Sequence, residues 1–269
     1  MKFARAKVAT PLLQTADFDQ VFGASDGQSL PFDDQRLIRE LLLIALPGTK
    51  FRLVEKHSEL IVGVRSQEYP LLNIAYTDVR FLEEVDEATS ERKKTLRSAE
   101  QIITHLKTFL GTSYLWGGNW SRGIPEMRHY YPPKVPFETL DPFIQSAWLL
   151  QGVDCSGLLY QVTDGMTPRS THQLIHYGQG LSTQEKTSQQ IQEALFPLDL
   201  IVWPGHVIIV IDSQNVIESK AGKGVIQTPL DECLNTLLQE RKPMELPDTS
   251  LSEKWFVIRR WHPQFSLSE

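Results

Sequence analysis

The stretch Gly152-Val153-Asp154-Cys155-Ser156-Gly157-Leu158-Leu159-Tyr160 constrains the fold of this chain more than any other and holds one of only two cysteines. Glycine and aspartate come before a small residue and an apolar run, a pattern that predicts a turn leading into a helix. Cys155 would then occupy the first helical turn, where the positive end of the helix dipole stabilises a thiolate. From position alone, a nucleophile and a small buried hydrophobic residue are equally open interpretations of Cys155.

The overall composition is that of an ordinary soluble globular protein, with 269 residues, 41% hydrophobic and 22% charged, and a net charge of -6. The acidic balance argues against nucleic acid or an anionic membrane surface as the main partner. No window of about 18 apolar residues predicts a transmembrane helix. The basic N-terminus lacks the apolar segment of a signal peptide, which predicts a cytoplasmic location. A periplasmic or secreted location is the alternative if an export segment is missing from the sequence.

Cysteine and histidine spacing gives little support for a disulfide or a metal site. Cys155 and Cys233 do not form a disulfide framework, and the context of Cys155 suits a free thiol. His172 and His176 could share one face of a helix, but the sequence offers no third zinc ligand beside them. We therefore predict neither a metal nor a cofactor.

Residues 1–88 read as a strand-rich module. Two short apolar runs, at 53–55 and 60–65, flank a polar break and predict a hairpin. Residues 77–82 alternate polar and apolar side chains, which predicts an edge strand. Residues 36–46 are compatible with a helix or with a strand that leads to the turn at Pro47-Gly48. Short strands at close spacing indicate a small barrel.

A charged segment, residues 83–98, marks the predicted boundary between two domains. Ser98 is then the predicted N-cap of a helix that Gly111 ends, with an apolar stripe that includes Ile102 and Leu106. The segment from Asn119 to Val153 is rich in proline and aromatic residues, and a long loop of this kind often shapes a site. Beyond the cysteine helix, a short helix capped by Ser170 or Thr171 and several strands are predicted.

A thiolate nucleophile needs a base and a group that orients the base. His206 opens an apolar strand directly after Pro204-Gly205, and Glu218 interrupts the apolar strand that returns. A carboxylate in such a strand favours a partnered group. The two side chains share a face only if the connecting loop has an odd number of residues or a bulge intervenes, and a four-residue loop at 212–215 would separate them. Asp212 and Asn215 are weaker candidates, since both suit a turn.

The order of these elements resembles the NlpC-type family of papain-like cell-wall cysteine peptidases. The resemblance covers about residues 98–230 and is carried by six motifs. They are Tyr114-x-Trp116-Gly117-Gly118, Asp154-Cys155-Ser156-Gly157-Leu158, Pro168-Arg169-x-Thr171-x-Gln173, Leu198-Asp199-Leu200, His206-Val207-x-Ile209 and Ile217-Glu218. The resemblance implies an α+β fold in which a papain-like catalytic domain, residues 96–269, carries the cysteine on a helix packed on an antiparallel sheet. An SH3-like β-barrel at residues 1–88 would precede it.

The resemblance also implies roles for individual residues. Cys155 would attack a peptide carbonyl, His206 would be the base, and Glu218 would orient it where the family usually has His, Asn or Gln. Four residues would bind substrate: Tyr114, Trp116, Asp154 and Ser156. Tyr114 would lie beside the thiolate with its hydroxyl near the oxyanion. Asp154 and Ser156 would contact the stem peptide. Asp154 would meet a free amine of that peptide. Arg169 and Gln173 match a pattern that we interpret as structural.

The resemblance implies a cysteine endopeptidase that cleaves peptidoglycan stem peptides, most typically between D-glutamate and the diamino acid. The insertion from Asn119 to Val153 departs from the family pattern and would restrict the cleft to short, free peptides, as in murein recycling. An amidase or acyltransferase that uses the same three residues is an alternative. A non-catalytic cell-wall-binding protein is the other alternative, which the intact Cys155 and His206 disfavour.

Overall fold

The computed structural model describes residues 2–70, 72–247 and 254–265. The strands, in chain order, are β1 (Phe3–Ala6), β2 (Thr10–Leu13), β3 (Leu41–Ala45), β4 (Lys50–Lys56), β5 (Ile61–Arg65), β6 (Ala75–Asp78), β7 (Leu82–Val85), β8 (Asn119–Trp120), β9 (Gly152–Val153), β10 (Gln179–Gly180), β11 (Leu200–Trp203), β12 (His206–Val210), β13 (Asn215–Lys220), β14 (Gly224–Pro229), β15 (Lys242–Met244) and β16 (Trp255–Arg260). The helices are α1 (Phe18–Val21), α2 (Ala99–Lys107), α3 (Glu126–Tyr130), α4 (Pro142–Trp148), α5 (Cys155–Val162), α6 (Thr171–Leu174), α7 (Ser188–Ala194) and α8 (Leu230–Glu240), with short 3-10 turns at Val79–Phe81 and Phe137–Thr139. Mixed helix and antiparallel sheet content agrees with the predicted α+β class.

The chain divides into two compact units, and neither is continuous in sequence. The first unit comprises Met1–Lys93 and Ser113–Asp154, and the second comprises Lys94–Thr112 and Cys155–Glu269. The predicted insertion therefore belongs to the same unit as the N-terminal strands. The predicted division into domains at 1–88 and 96–269 stays a prediction.

Seven strands of the first unit form an antiparallel sheet in the order β3-β2-β6-β5-β4-β1-β7. The predicted hairpin is confirmed, because β4 pairs antiparallel with β5. The ambiguous residues 36–46 contain a strand, β3, and not a helix. The predicted edge strand at 77–82 is wrong. A 3-10 turn at Val79–Phe81 divides that segment between β6, an interior strand, and β7, because the Asp78 side chain caps the turn through the Arg80 N–H.

The insertion contributes helices to the core of the first unit. Trp148 and Tyr131 pack in one apolar cluster with Leu13 and Leu41 of the sheet. Asn119 is fully buried and acts as an extra strand partner, since its Oδ1 accepts from the Ile44 N–H at 2.9 Å and its Nδ2 donates to the Ile44 carbonyl at 2.7 Å. These paired bonds satisfy backbone groups of β3 that the sheet itself leaves open at that point.

The second unit is built on a sheet in the order β10-β16-β11-β12-β13-β14, with β15 added in parallel beside β16. Helix α5 packs on β12 and β13. The predicted helix beginning after Ser98 is confirmed, and Ser98 and Gln101 form a capping box at its start. All six residues of β16 are buried, so this strand has no solvent-facing side. Among the described residues, no helix has the length and apolar character needed to cross a membrane.

Candidate active site

Cys155 begins helix α5, as the sequence predicts, and its side chain is buried. The helix residues that follow are all buried except Gln161. The thiol lies at the Gly205 carbonyl, to which Sγ–H donates across 3.9 Å. Gly205 directly precedes His206, so the thiol sits at the chain segment that carries the imidazole.

A turn at Pro204-Gly205 positions this carbonyl. Gly205 has φ +97°, a left-handed conformation that strains any residue with a side chain. Its N–H donates to Oγ1 of Thr171 at 3.1 Å, at the start of α6. Thr171 therefore holds the N–H of Gly205, and Cys155 contacts its carbonyl.

His206 and Glu218 lie on adjacent strands and make a direct hydrogen bond of 2.6 Å between Nε2 and Oε2. The register pairs Ile209 with Ile217 and Val210 with Val216, so its continuation sets Glu218 opposite residue 208, on the same face as His206. The Ile211 N–H donates to the Asn215 carbonyl and extends the ladder, which leaves residues 212–214 as the connection. Three residues thus lie between the paired residues Ile211 and Asn215, an odd number that satisfies the parity condition. The four-residue loop at 212–215, which would separate the two side chains, does not form, because Asn215 belongs to β13.

The electrostatics of this pair define its protonation. Burial by itself would raise the pKa of Glu218, but the hydrogen bond from His206 and the positive charges of His206, Lys220 and Lys223 lower it below its ordinary value. Glu218 is therefore an ionised acceptor, and Nε2 of His206 carries the hydrogen. In the neutral ring, Nδ1 then holds the lone pair that can accept a proton from a thiol.

The indole of Trp203, on the neighbouring strand, packs against the imidazole of His206. Strand pairing sets Trp203 opposite His206, and their ring centroids are 5.1 Å apart at an angle of 46°. The guanidinium of Arg241 lies over the same indole, 4.5 Å from the ring centroid. Trp203 thus contacts both the candidate base and a cation.

Ser156, a predicted substrate contact, is buried within the second unit. Its hydroxyl accepts a hydrogen bond of 2.9 Å from Nη1 of Arg169. This bond gives Arg169 the structural role that the sequence indicates, because it ties the loop before α6 to the first turn of α5. The substrate-binding role of Ser156 stays a prediction.

The other predicted substrate-binding residues belong to the first unit. Tyr114 is half-buried and forms an isolated β-bridge with Val153. Trp116 is 38% exposed, and the Arg39 guanidinium lies 4.3 Å from its ring centroid. Asp154 is buried. Gly117 follows Trp116 with φ +70°, and a Cβ there would collide with the Leu41 carbonyl, which explains the glycine. Within this unit, these observations describe a tightly packed Trp-Gly-Gly turn.

Neither Cys155 nor Cys233 forms a disulfide bond. Burial and the charge of Glu218 raise the pKa of Cys233 to about 12, so Cys233 is a thiol and a poor nucleophile at neutral pH. Within residues 2–70, 72–247 and 254–265, no group of three His, Cys, Asp or Glu side chains lies where it could hold a metal ion. His172 and His176, the pair weighed as zinc ligands, belong to no such group in the described part of the chain.

Three residues that contact the site were not singled out from the sequence as functional. The sequence predicts Thr171 as a helix cap and as part of one resemblance motif, predicts Trp203 as part of a strand, and assigns nothing to Arg241. The sequence does contain a signal for Trp203, since a short turn between two antiparallel strands sets the residues that flank it side by side. The contacts of Thr171 and Arg241 join segments that are distant in sequence, so spacing gives no signal for them.

No protein-family model matches the chain, and no curated protein matches it significantly. Solved structures match at low similarity. An NlpC/P60 family protein from Bacillus cereus ATCC 10987 is 18% identical with a TM-score of 0.38, covering 97% of this chain and 63% of that one. NlpC2 from Trichomonas vaginalis is 13% identical with a TM-score of 0.34, covering 97% and 73% of the two chains. NlpC1 from the same organism is 12% identical with a TM-score of 0.34, covering 85% and 88%. The chain thus spans less than two thirds of the Bacillus protein.

Proposed function

We propose that this chain is a cysteine peptidase of the NlpC type, with Cys155 as nucleophile, His206 as base and Glu218 as the group that orients the base. The observation that carries the proposal is the 2.6 Å bond between His206 Nε2 and Glu218 Oε2, made directly beside the peptide whose carbonyl contacts the Cys155 thiol. Both side chains are mostly buried, and each satisfies a polar atom of the other. A nucleophile, a base and an orienting group are the parts that acyl transfer requires.

The reaction follows from these three side chains. Nδ1 of His206 takes the thiol proton, and the Cys155 thiolate attacks the scissile carbonyl to form a tetrahedral intermediate. The imidazolium returns the proton to the nitrogen of the leaving amine as the C–N bond breaks, which leaves a thioester on Cys155. Water, deprotonated by the neutral imidazole, then attacks the thioester and releases the carboxylic acid and the thiol.

Glu218 supplies more than orientation in this scheme. An amide at this position could hold the imidazole in place, whereas a carboxylate also stabilises the positive charge that forms on His206 in each half-reaction. The lowered pKa of Glu218, set by His206 and the nearby lysines against the effect of burial, keeps this charge present at neutral pH.

The proposed substrates are peptidoglycan stem peptides, cleaved at the γ-D-glutamyl bond to the diamino acid. The Asp-Cys-Ser-Gly motif after a Trp-Gly-Gly motif, followed by the histidine strand, supports this substrate class by its resemblance to NlpC-type peptidases. We propose further that the strands of residues 1–88 form an SH3-like module. The seven strands from β1 through β7 form one antiparallel sheet, which supports this part of the proposal. The cytoplasmic location and murein recycling stay predictions.

The test is incubation of the purified chain with a free stem tripeptide and with intact sacculi, followed by mass spectrometry of the products. Hydrolysis between D-glutamate and the diamino acid supports the proposal, and release of a whole stem peptide from sugar indicates an amidase instead. A product extended by an added amine indicates an acyltransferase. Cys155→Ala is expected to abolish hydrolysis, with Cys233→Ala as the matched control. Full activity in Cys155→Ala, or binding to sacculi without any cleavage by the wild type, would overturn the proposal.

A further inference from the structure

Arg241 lies at the edge of the candidate active site, one aromatic ring away from His206. Its guanidinium carbon is 4.5 Å from the centroid of Trp203, whose ring centroid is in turn 5.1 Å from that of His206. Arg241 directly follows helix α8, and its backbone N–H closes the last turn on the Leu237 carbonyl. The end of α8 thus places a cation against Trp203, the tryptophan that contacts His206.

No carboxylate among the described residues forms a salt bridge with Arg241, although the adjacent Glu240 is near enough to act on its charge. Its Nε is buried without a hydrogen-bond acceptor. Burial lowers the pKa of Arg241, and the charge of the adjacent Glu240 only partly opposes this effect. Glu218, the buried carboxylate beside His206, is already bonded to that histidine. A partly desolvated guanidinium without an acceptor is an unfavourable arrangement, which a bound anion would relieve.

We propose that Arg241 binds a carboxylate of the substrate peptide, carried by the residue on the leaving-group side of the scissile bond. This inference rests on the proposed peptidase function and adds a determinant of specificity to it. The planar fork of a guanidinium matches a carboxylate with two parallel hydrogen bonds. Trp203 would support the aliphatic part of the same residue.

The leaving-group side follows from the chemistry of His206. The imidazolium must deliver its proton to the departing nitrogen, so the residue that bears this nitrogen lies against the imidazole during the reaction. Trp203 contacts that imidazole and Arg241 contacts Trp203. In a free stem tripeptide the terminal carboxylate of the diamino acid lies on this side, and diaminopimelate carries a second carboxylate at the end of its side chain.

The test compares two substrates that differ only in the carboxyl groups of the third residue. They are L-alanyl-γ-D-glutamyl tripeptides with lysine or diaminopimelate as the third residue, whichever the wild type cleaves, in which every carboxyl group of that residue is either free or converted to the carboxamide. We expect a kcat/KM ratio of roughly tenfold or more in favour of the carboxylate for the wild type. Arg241→Gln should bring this ratio close to one, chiefly through KM, and Arg241→Lys should give an intermediate ratio.

Arg122→Gln is the matched control, because Arg122 also stacks on a tryptophan, Trp120, in the first unit. It should keep the wild-type ratio. A wild-type ratio near one, or the wild-type ratio retained in Arg241→Gln, would overturn the assignment of Arg241. Either of these results would leave the proposed function standing, since the tripeptide is still cleaved. Failure of the wild type to cleave either tripeptide would instead contradict the proposed function.

Discussion

Glu218 accepts a 2.6 Å hydrogen bond from Nε2 of His206, and the two residues are twelve positions apart on neighbouring strands. The bond leaves Nδ1 as the basic nitrogen of the ring. It also gives the imidazole a full negative charge as its partner, which an amide would not supply. Several consequences of this pair, and of the turn beside it, can be measured.

Glu218→Gln should lower kcat/KM by about 100-fold while leaving the fold intact. The amide can still accept from Nε2, so the ring orientation survives, but the charge that stabilises the imidazolium is lost. Steady-state kinetics with a stem tripeptide measure the effect, and thermal unfolding checks the fold. Glu232→Gln, an exposed glutamate in the first turn of α8, is the control and should behave as the wild type. Unchanged kinetics in Glu218→Gln would remove Glu218 from the mechanism.

The same pair makes stability depend on pH in a defined direction. The pKa of Glu218 is lower in the folded chain than its ordinary value of 4.5, so the unfolded chain binds the proton first as the pH falls. The stabilisation is fully present above pH 4.5 and is lost as the pH falls through the lowered folded value. Denaturant unfolding at a series of pH values should show the wild type losing its advantage over Glu218→Gln below pH 4.5. A difference that stays constant across this range would contradict the prediction.

Thr171→Val should reduce kcat/KM by roughly tenfold or more with a loss of stability of at most about 1 kcal/mol. Valine keeps the shape of threonine but removes the oxygen that accepts the Gly205 N–H, so the turn that contacts the thiol loses one of its two attachments. Thr171→Ser retains the oxygen and should recover most of the activity. If serine and valine variants lose activity equally, the methyl group matters and the hydrogen bond does not.

Asn119→Ala should destabilise the folded chain by about 2 kcal/mol, because it leaves both polar groups of the buried Ile44 peptide without partners. The free energy of unfolding from a denaturant titration measures this loss. Asn73→Ala, at an exposed asparagine of the same unit, should stay within about 0.5 kcal/mol of the wild type. Equal effects of the two substitutions would show that the Asn119 side chain is not a strand partner of β3.

Local signals in the sequence predicted local structure well. Ser98 is the N-cap that the sequence indicates, with Gln101 completing a capping box, and Cys155 begins a helix where a turn is followed by an apolar run. The hairpin of β4 and β5 follows from two apolar runs around a polar break. In each case, the residues that interact are close to each other in sequence.

The remaining features depend on register or on distant segments. Alternation along the strands does not decide whether His206 and Glu218 share a face of the sheet, because one residue more or less in the loop moves Glu218 to the other face. The structure decides it, since the hydrogen-bond ladder continues to Asn215. The bonds from Asn119 to Ile44 and from Gly205 to Thr171 join residues 75 and 34 positions apart. Nothing in the spacing of a single sequence identifies such partners.

The interlaced course of the chain also governs how the molecule can be taken apart. The backbone passes from one unit to the other after Lys93, after Thr112 and after Asp154, so no single break releases either unit whole. A fragment starting at residue 96 would carry Trp148 without Leu13 and Leu41, which share its apolar cluster. Exchanging domains at a single crossover would therefore divide the apolar core of a unit. A complete unit could be obtained only by joining its two separate segments.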